Sequence, residues 1–404
     1  MPTELDMTDS KAPFDDDWQE LPSDAVDDVD TSNGEEKTIQ PWNPAKIRIT
    51  TKSLSLREVV EQIGGGDIDL APDFQREYVW KRRQRTRLIE SVLLGIPLPA
   101  FYFNQEDDAT YQVVDGVQRL STINLFMNNK HILDAVDLEY LKDLHGRTYD
   151  KLDQTVVRRF RSAQIVCHII EPQTPDEVKY DIFSRVNTLG SPLSTQEIRH
   201  AMSKKRSRMF LKVLSELESF DAATAKNFWI KDPDGGATPV RDTGRMMNRE
   251  LALRFCAFKS FSADEYRKYS SLDSYLVEYT RRIDGRSETA PPFTDMDLVE
   301  LTKVFNSAMT NASFVMGADG FRRFPPGGKR KGPINRAVFE SQALAFADYS
   351  LDKLTPKKDA IATALRRLFE DPDYLRSVTV GTGNIASVEL RLRRTKKAIK
   401  EIIQ

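Results

Sequence analysis

Apolar positions along this chain follow two patterns. Up to about residue 200, short apolar runs alternate with stretches of helical spacing; beyond it, helical spacing dominates. Ser55-Leu56-Arg57-Glu58 has the form of a capping box and predicts a short helix to about Ile63, stopped by Gly64-Gly65-Gly66. Asp69 to Arg76 reads as extended, because Pro72 disfavours helix at the residue before it. Leu88, Ile89, Val92 and Leu93 place a helix over 81–94, which Gly95-Ile96-Pro97 ends. Residues 100–103 and 111–114 read as strands joined by a polar hairpin loop at 104–110. A helix follows over 119–128. Residues 163–170 are nearly all apolar, which predicts a central strand with His168 in the core. Thr174-Pro175-Asp176-Glu177 and Ser194-Thr195-Gln196-Glu197 are two further capping boxes, separated by a helix to about Val186 and a turn at 187–192. Helices are then expected at about 206–219, 245–259, 263–282, 296–311, 335–349, 356–370 and 385–403, with loops at Gly235-Gly236 and Gly317–Gly332. The expected fold class is α+β: a disordered acidic leader at 1–45, a mixed domain at 46–200 and a helical domain at 201–404.

The leader changes the reading of charge. Its first 37 residues hold 13 acidic and two basic side chains, leaving 57 basic against 48 acidic in the remainder. A basic body suits a polyanionic partner. A leader of opposite sign is read first as a solvated segment, and second as a competitor for the basic surface. Among function classes, a membrane span is excluded by the lack of any apolar run of about 18 residues. No secretory leader is expected either, which points to the cytoplasm. Cys167 and Cys256 stand far apart in apolar surroundings and read as reduced, buried thiols.

Chemistry concentrates in three blocks. Val113-Val114-Asp115-Gly116-Val117-Gln118-Arg119 is a strand, a glycine turn and a helix start. Such a helix end presents unpaired backbone N–H groups and partial positive charge, which attract phosphate. Gly116 would let a ligand approach the backbone. Arg119 offers a planar, bidentate donor for a phosphate, and Arg119→Ala is expected to abolish nucleotide binding and leave thermal stability nearly intact. Asp115 could bind a metal, act as a base or merely cap the turn. The second block is Asp73-Phe74-Gln75-Arg76, with Trp80 after it, where the arginine could reach the same pocket or simply stack. The third runs from Phe183 through Arg185, Asn187 and Gly190 to Ser194, and a helix-turn-helix connection explains it without a ligand.

Together, "DFQREYVWKRRQRTRLIESVLLGIPLPAFYF", "YQVVDGVQRLSTINLFMNN" and "DIFSRVNTLGSPLSTQEIRHA" resemble the signature blocks of the GmrSD restriction-endonuclease N-terminal domain family, in the same order. The end, "VTVGTGNIASVELRLRRTKKAIKEI", resembles the end of that domain. The resemblance implies a ParB/sulfiredoxin-like core whose Asp-Gly-Gln-Gln-Arg motif acts in nucleotide binding or hydrolysis and in handling modified DNA. Carried over by position, it marks Asp115, Gly116, Gln118 and Arg119 as the motif and Gln75 and Arg76 beside it, with Arg185 and Asn187 from the third block. Asp115, Gln118 and Arg119 would be catalytic, Asp115 the metal ligand, and Gln75, Arg76, Gly116, Arg185 and Asn187 the nucleotide-binding set. The implied cofactor is Mg²⁺ with a nucleoside triphosphate. Where the family has its first Gln, this chain has Val117, which cannot hydrogen-bond a nucleotide or place a water.

Larger relatives append a His-Asn-His nuclease domain. The four histidines here, His131, His145, His168 and His200, form no paired motif, so a histidine-based nuclease is not expected. No zinc cluster, P-loop or nucleophile elbow occurs. Basic clusters lie at 81–87, 158–161, 204–208, 322–331 and 391–400. Of these, Arg322, Arg323, Lys329, Arg330 and Lys331 are the expected DNA clamp, with solvated helix faces as the plainer reading. Three functions remain open: a nucleotide-dependent, DNA-interacting defence protein; a non-catalytic sensor working with a separate nuclease subunit; and a metal-dependent DNA nuclease.

Overall fold

The computed structural model describes residues 47–70, 80–186, 194–231, 238–241, 246–324 and 332–404. The expectations for the leader at 1–45, for Gln75, Arg76 and Asn187, for the Gly235-Gly236 loop, and for Lys329, Arg330 and Lys331 fall outside these residues.

Five strands form one mixed sheet: β1 (Ile49–Ser55), β2 (Ile68–Asp69), β3 (Phe101–Gln105), β4 (Tyr111–Asp115) and β5 (Gln164–Ile170), in the order β1-β5-β3-β4-β2. The predicted hairpin is β3–β4, antiparallel, with Asn104 opposite Gln112. On its other side β3 runs parallel to β5, and β1 closes that edge. Two strands escape the hydrophobic pattern. β1 is exposed from Ile49 to Ser53, so its ladder with β5, and not burial, holds it. β2 has only two residues.

β5 corrects a prediction. It lies inside the sheet, yet only one of its faces is covered throughout: Ile165, Cys167 and Ile169 are buried and Val166 is 41% exposed. His168 is therefore not a core residue. It is half-buried, 3.0 Å from the Thr51 hydroxyl, with its ring 5.0 Å from Tyr102.

Helices α1 (Leu56–Gly65), α2 (Arg82–Leu94), α3 (Val117–Met127) and α4 (Gln154–Ser162) cover one face of the sheet. Leu56, Val59, Ile89, Leu93, Ile123, Phe126 and Phe160 pack there on Phe101, Phe103, Val113, Cys167 and Ile169. α4 was not predicted, because Gln154–Ser162 carries only three large apolar residues. Helices α5 (Asp176–Val186) and α6 (Thr195–Met202) pack on the second face, where Phe183, Ile198 and Ala201 meet Val114 and Ile170. The Ser194–Glu197 box forms as predicted. At the first box Ser55 accepts from the Glu58 N–H at 3.2 Å. Thr174 also fastens the segment leading into β1, since its hydroxyl bonds both backbone groups of Arg48, at 3.2 and 3.1 Å.

A buried carboxylate fixes the loop over α2. Glu90 accepts from the N–H groups of Glu139, Tyr140 and Leu141 at 2.7–3.0 Å. Burial alone would raise its pKa, but these backbone donors and Arg87 outweigh it and hold it below the usual carboxylate value. A depressed folded pKa stabilises the fold above the unfolded value of about 4.3, and the benefit vanishes as pH falls through the folded value. Glu90→Gln should therefore lower Tm at pH 7 and lose less, relative to wild type, in melts taken progressively below pH 4.3.

The remaining helices are α7 (Lys205–Ser215), α8 (Glu218–Ala223), α9 (Met247–Lys259), α10 (Ala263–Tyr266), α11 (Leu272–Ile283), α12 (Asp295–Met316), α13 (Arg336–Phe346), α14 (Leu351–Leu354), α15 (Lys358–Arg367), α16 (Pro372–Ser377) and α17 (Ile385–Ile403), with a small ribbon of β6 (Trp229–Ile230) and β7 (Val240–Arg241). The single helix expected at 263–282 is two, because Ser271 restarts the chain as the cap of α11. Within the expected loop at 317–332, the described residues hold a 3-10 turn at Gly317–Asp319 and a bridge from Arg322 to Ile334.

This helical core contains charge. Glu340 of α13 is fully buried between Arg254 of α9, at 2.8 Å, and Arg391 of α17, at 2.5 Å. Arg391 is thus no part of a solvated basic face, as the pattern at 391–400 had suggested. Glu250 of α9, also buried, faces Arg254 at 2.7 Å, Arg336 at 3.1 Å and Arg199 at 3.7 Å. Burial works against its ionised form, yet the guanidiniums of Arg336, Arg254 and Arg199 pull its pKa down to about 2. Arg199 belongs to α6 and also meets Asp273 of α11 at 2.6 Å, so this ion network ties the sheet's second-face helices to the helical region.

Candidate functional site

β4 ends on Asp115, and α3 begins two residues later. The residue between must turn sharply: Gly116 has φ 98°, in the left-handed region that side chains avoid. A Cβ there would lie 2.3 Å from the Phe101 ring. The glycine is therefore required by backbone and packing together. The expected ligand approach at Gly116 is corrected on this side, because the ring fills the space.

Arg119 is built into the same turn. Its guanidinium donates to the carbonyls of Pro99 and Ala100 and pairs with Asp115 Oδ2 at 2.8 Å. It also lies 4.2 Å from the centroid of Phe101. Burial lowers its pKa, and the Asp115 charge opposes that. The expectation that Arg119 could be removed at little cost to stability is therefore overturned: the side chain is 13% exposed and clamps β3, β4 and α3 together.

Other groups in the turn are uncommitted. No side chain caps α3, so its first-turn amides keep their capacity to bind an acceptor. Asp115 is 34% exposed with one oxygen engaged by Arg119. Gln118 is half-buried, and its Oε1 has no hydrogen-bond partner. Val117 is half-buried against the apolar layer under α3, which accounts for an apolar residue at that position.

Arg185 is not brought to this turn. It projects from α5, on the opposite face of the sheet from α3, with its Nε 2.9 Å from Asp181. Arg322 holds its own loop shut, donating to Ala318 O, Gly332 O and Asn227 Oδ1 at 3.1–3.2 Å. Arg323 is half-buried, and its carbonyl accepts from Gly332 at 2.9 Å.

Two of the histidines, His131 and His200, have their pKa pushed down. Burial first, then Arg85 and Arg82, pushes His131 down to about 4. Burial, Arg249 and Arg208 push the enclosed His200 well below its ordinary value. Cys167 and Cys256 are free and buried, as expected. Among the described residues no group of three or more His, Cys, Asp or Glu could hold a metal ion, and no helix is long and apolar enough to cross a membrane. Sequence reasoning missed Asn104 and Gln112, two buried polar residues paired across β3 and β4. The available signal was a polar side chain inside each hairpin strand.

A mixed five-stranded sheet with helices on both faces, a strand–glycine–helix turn at its end and a helical region after it defines an α+β protein. Residues 56–203 match the model of the GmrSD restriction endonuclease, N-terminal domain. The matched span contains the sheet from Leu56 onward, the Asp115–Arg119 turn and helices α1 to α6. No curated protein matches the chain.

Proposed function

We propose that this chain is a nucleotide-binding, DNA-directed protein of a restriction system, with the domain at 46–200 holding the nucleotide and the region at 201–404 supporting it. The observation that carries this reading is the uncapped start of α3, next to an uncommitted Gln118 amide and a part-exposed Asp115, within a restriction-family domain. The first-turn amides would receive phosphate oxygens. Gln118 would donate to a phosphate oxygen from its amide Nε2, since its Oε1 can only accept. Arg119 organises the turn and lends positive potential, while its donors remain on the scaffold. Asp115 is a single carboxylate, which fits Mg²⁺ held mainly by phosphate oxygens and water; the ion would neutralise phosphate charge.

A second reading is favoured by one residue. Val117 has no group to orient a water, so the pocket would sense nucleotide while a separate nuclease subunit cuts DNA. Calorimetric titration of Mg²⁺–nucleoside triphosphates tests binding. Phosphate release with and without DNA separates turnover from sensing.

A further inference from the structure

On the sheet face covered by α5 and α6, Asn104 and Gln112 stand side by side. They are register partners in β3 and β4, and they are 4% and 3% exposed. Asn104 Nδ2 donates to Glu106 at 3.1 Å, but Asn104 Oδ1 and both amide atoms of Gln112 have no hydrogen-bond partner. Buried carboxamides are almost always paired, and each exception calls for a reason. Asp69, opposite Gln112 on β2, brings Arg208 of α7 to the same row at 3.0 Å, and the Arg208 Nε is likewise buried and unpartnered. His200 lies close enough to Arg208 for that guanidinium to disfavour its protonation. The row thus offers two unused acceptors, on Asn104 and Gln112, and two unused donors, on Gln112 and Arg208. Exchanging the O and N of the Gln112 amide leaves that inventory unchanged.

We propose that this row reads the edge of a nucleobase. An edge presenting donors and acceptors together is what carboxamide side chains recognise in nucleic acids, and an arginine adds a further donor. The site is separate from the Asp115–Arg119 turn. Gln112 is three residues before Asp115, about 10 Å along the strand, and its side chain leaves the opposite face of the sheet. The two carboxamides are buried on the face that α5 and α6 cover, so binding requires that cover to open. The base could belong to a free nucleoside or to an unpaired position in DNA, and the test distinguishes the two. The proposal draws its ligand class from the nucleotide and DNA reading above and shares none of that turn's residues.

Ligand-observed saturation-transfer NMR with adenosine, guanosine, cytidine and thymidine, and titration with a DNA duplex carrying one unpaired base against its fully paired form, provide the test. One nucleoside, or the unpaired duplex over the paired one, should bind the wild type. Gln112→Met and Asn104→Leu should each weaken that binding by about tenfold or more, the range of a lost base contact. Inorganic triphosphate with Mg²⁺, which carries no base, should bind the wild type and Gln112→Met alike, so failure at the turn and failure here are separable. Tm should stay level or rise in Gln112→Met, because removing an unpaired buried amide removes a desolvation cost. A clear fall in Tm would show that the amide has a structural partner and would overturn the proposal. Absence of binding by every nucleoside and both duplexes would overturn it equally.

Discussion

Glu340→Leu should be among the most damaging single changes in this chain, costing on the order of 3–5 kcal/mol. Glu340 is fully buried and faces two guanidiniums, Arg254 at 2.8 Å and Arg391 at 2.5 Å. Removing it leaves two cations without their shared counter-charge in the centre of the helical region. Arg254 keeps Glu250 at 2.7 Å, whereas Arg391 keeps only carbonyls, those of Thr382 at 2.6 Å and Ser377 at 3.4 Å. Glu340→Leu combined with Arg391→Met should therefore recover much of the loss, because replacing a buried pair by apolar groups is far less harmful than breaking it. Urea denaturation of the two variants measures the difference. Equal stability of the single and double variants would show that Arg391 is not an unpaired charge in the single one.

Gly116→Ala should produce the largest effect near the candidate site. Two costs combine: a side chain in the left-handed region, about 1–2 kcal/mol, and overpacking against the Phe101 ring, about 1–3 kcal/mol. Gly146 isolates the first. It has φ 73° and open space around its would-be Cβ, so Gly146→Ala bears only the backbone strain. Gly116→Ala should be the more destabilised by about 1–3 kcal/mol in denaturant melts. It should also lose nucleotide binding, because the ring it displaces supports Arg119, and Arg119 sets the start of α3.

The β3–β4 hairpin, the helix at 82–94, the serine cap at Ser55 and the capping box at Ser194 were legible because each rests on local chemistry: alternation, a glycine stop, a capping hydroxyl, or a hydroxyl and a carboxylate three residues apart. β1 was not, because the ladder to β5 that fixes it joins residues more than 100 positions apart. The helix at 154–162 was missed for want of apolar residues, and its single buried anchor, Phe160, means little until Phe126 and Tyr149 surround it. The site was legible as a turn, and its three blocks lie within residues 56–203, which match the model of the GmrSD N-terminal domain. What the pattern could not convey was which donors were spent. Arg119 read as a ligand-facing fork, and the fold uses that fork on Pro99, Ala100 and Asp115. The same holds for Arg322, which closes its own loop, and for Arg391, which is buried.

The most direct test of the account is calorimetric titration of Mg²⁺–nucleoside triphosphates into the wild type and Gln118→Ala, with a thermal melt of each. Gln118 has an unpartnered side-chain oxygen, so its truncation should leave Tm nearly unchanged. The account predicts that the wild type binds a triphosphate and that Gln118→Ala binds it about tenfold more weakly or worse, the scale of a lost hydrogen bond to a charged group. A wild type that binds no triphosphate, or a Gln118→Ala protein that binds as tightly as the wild type, would contradict the placement of nucleotide at this turn.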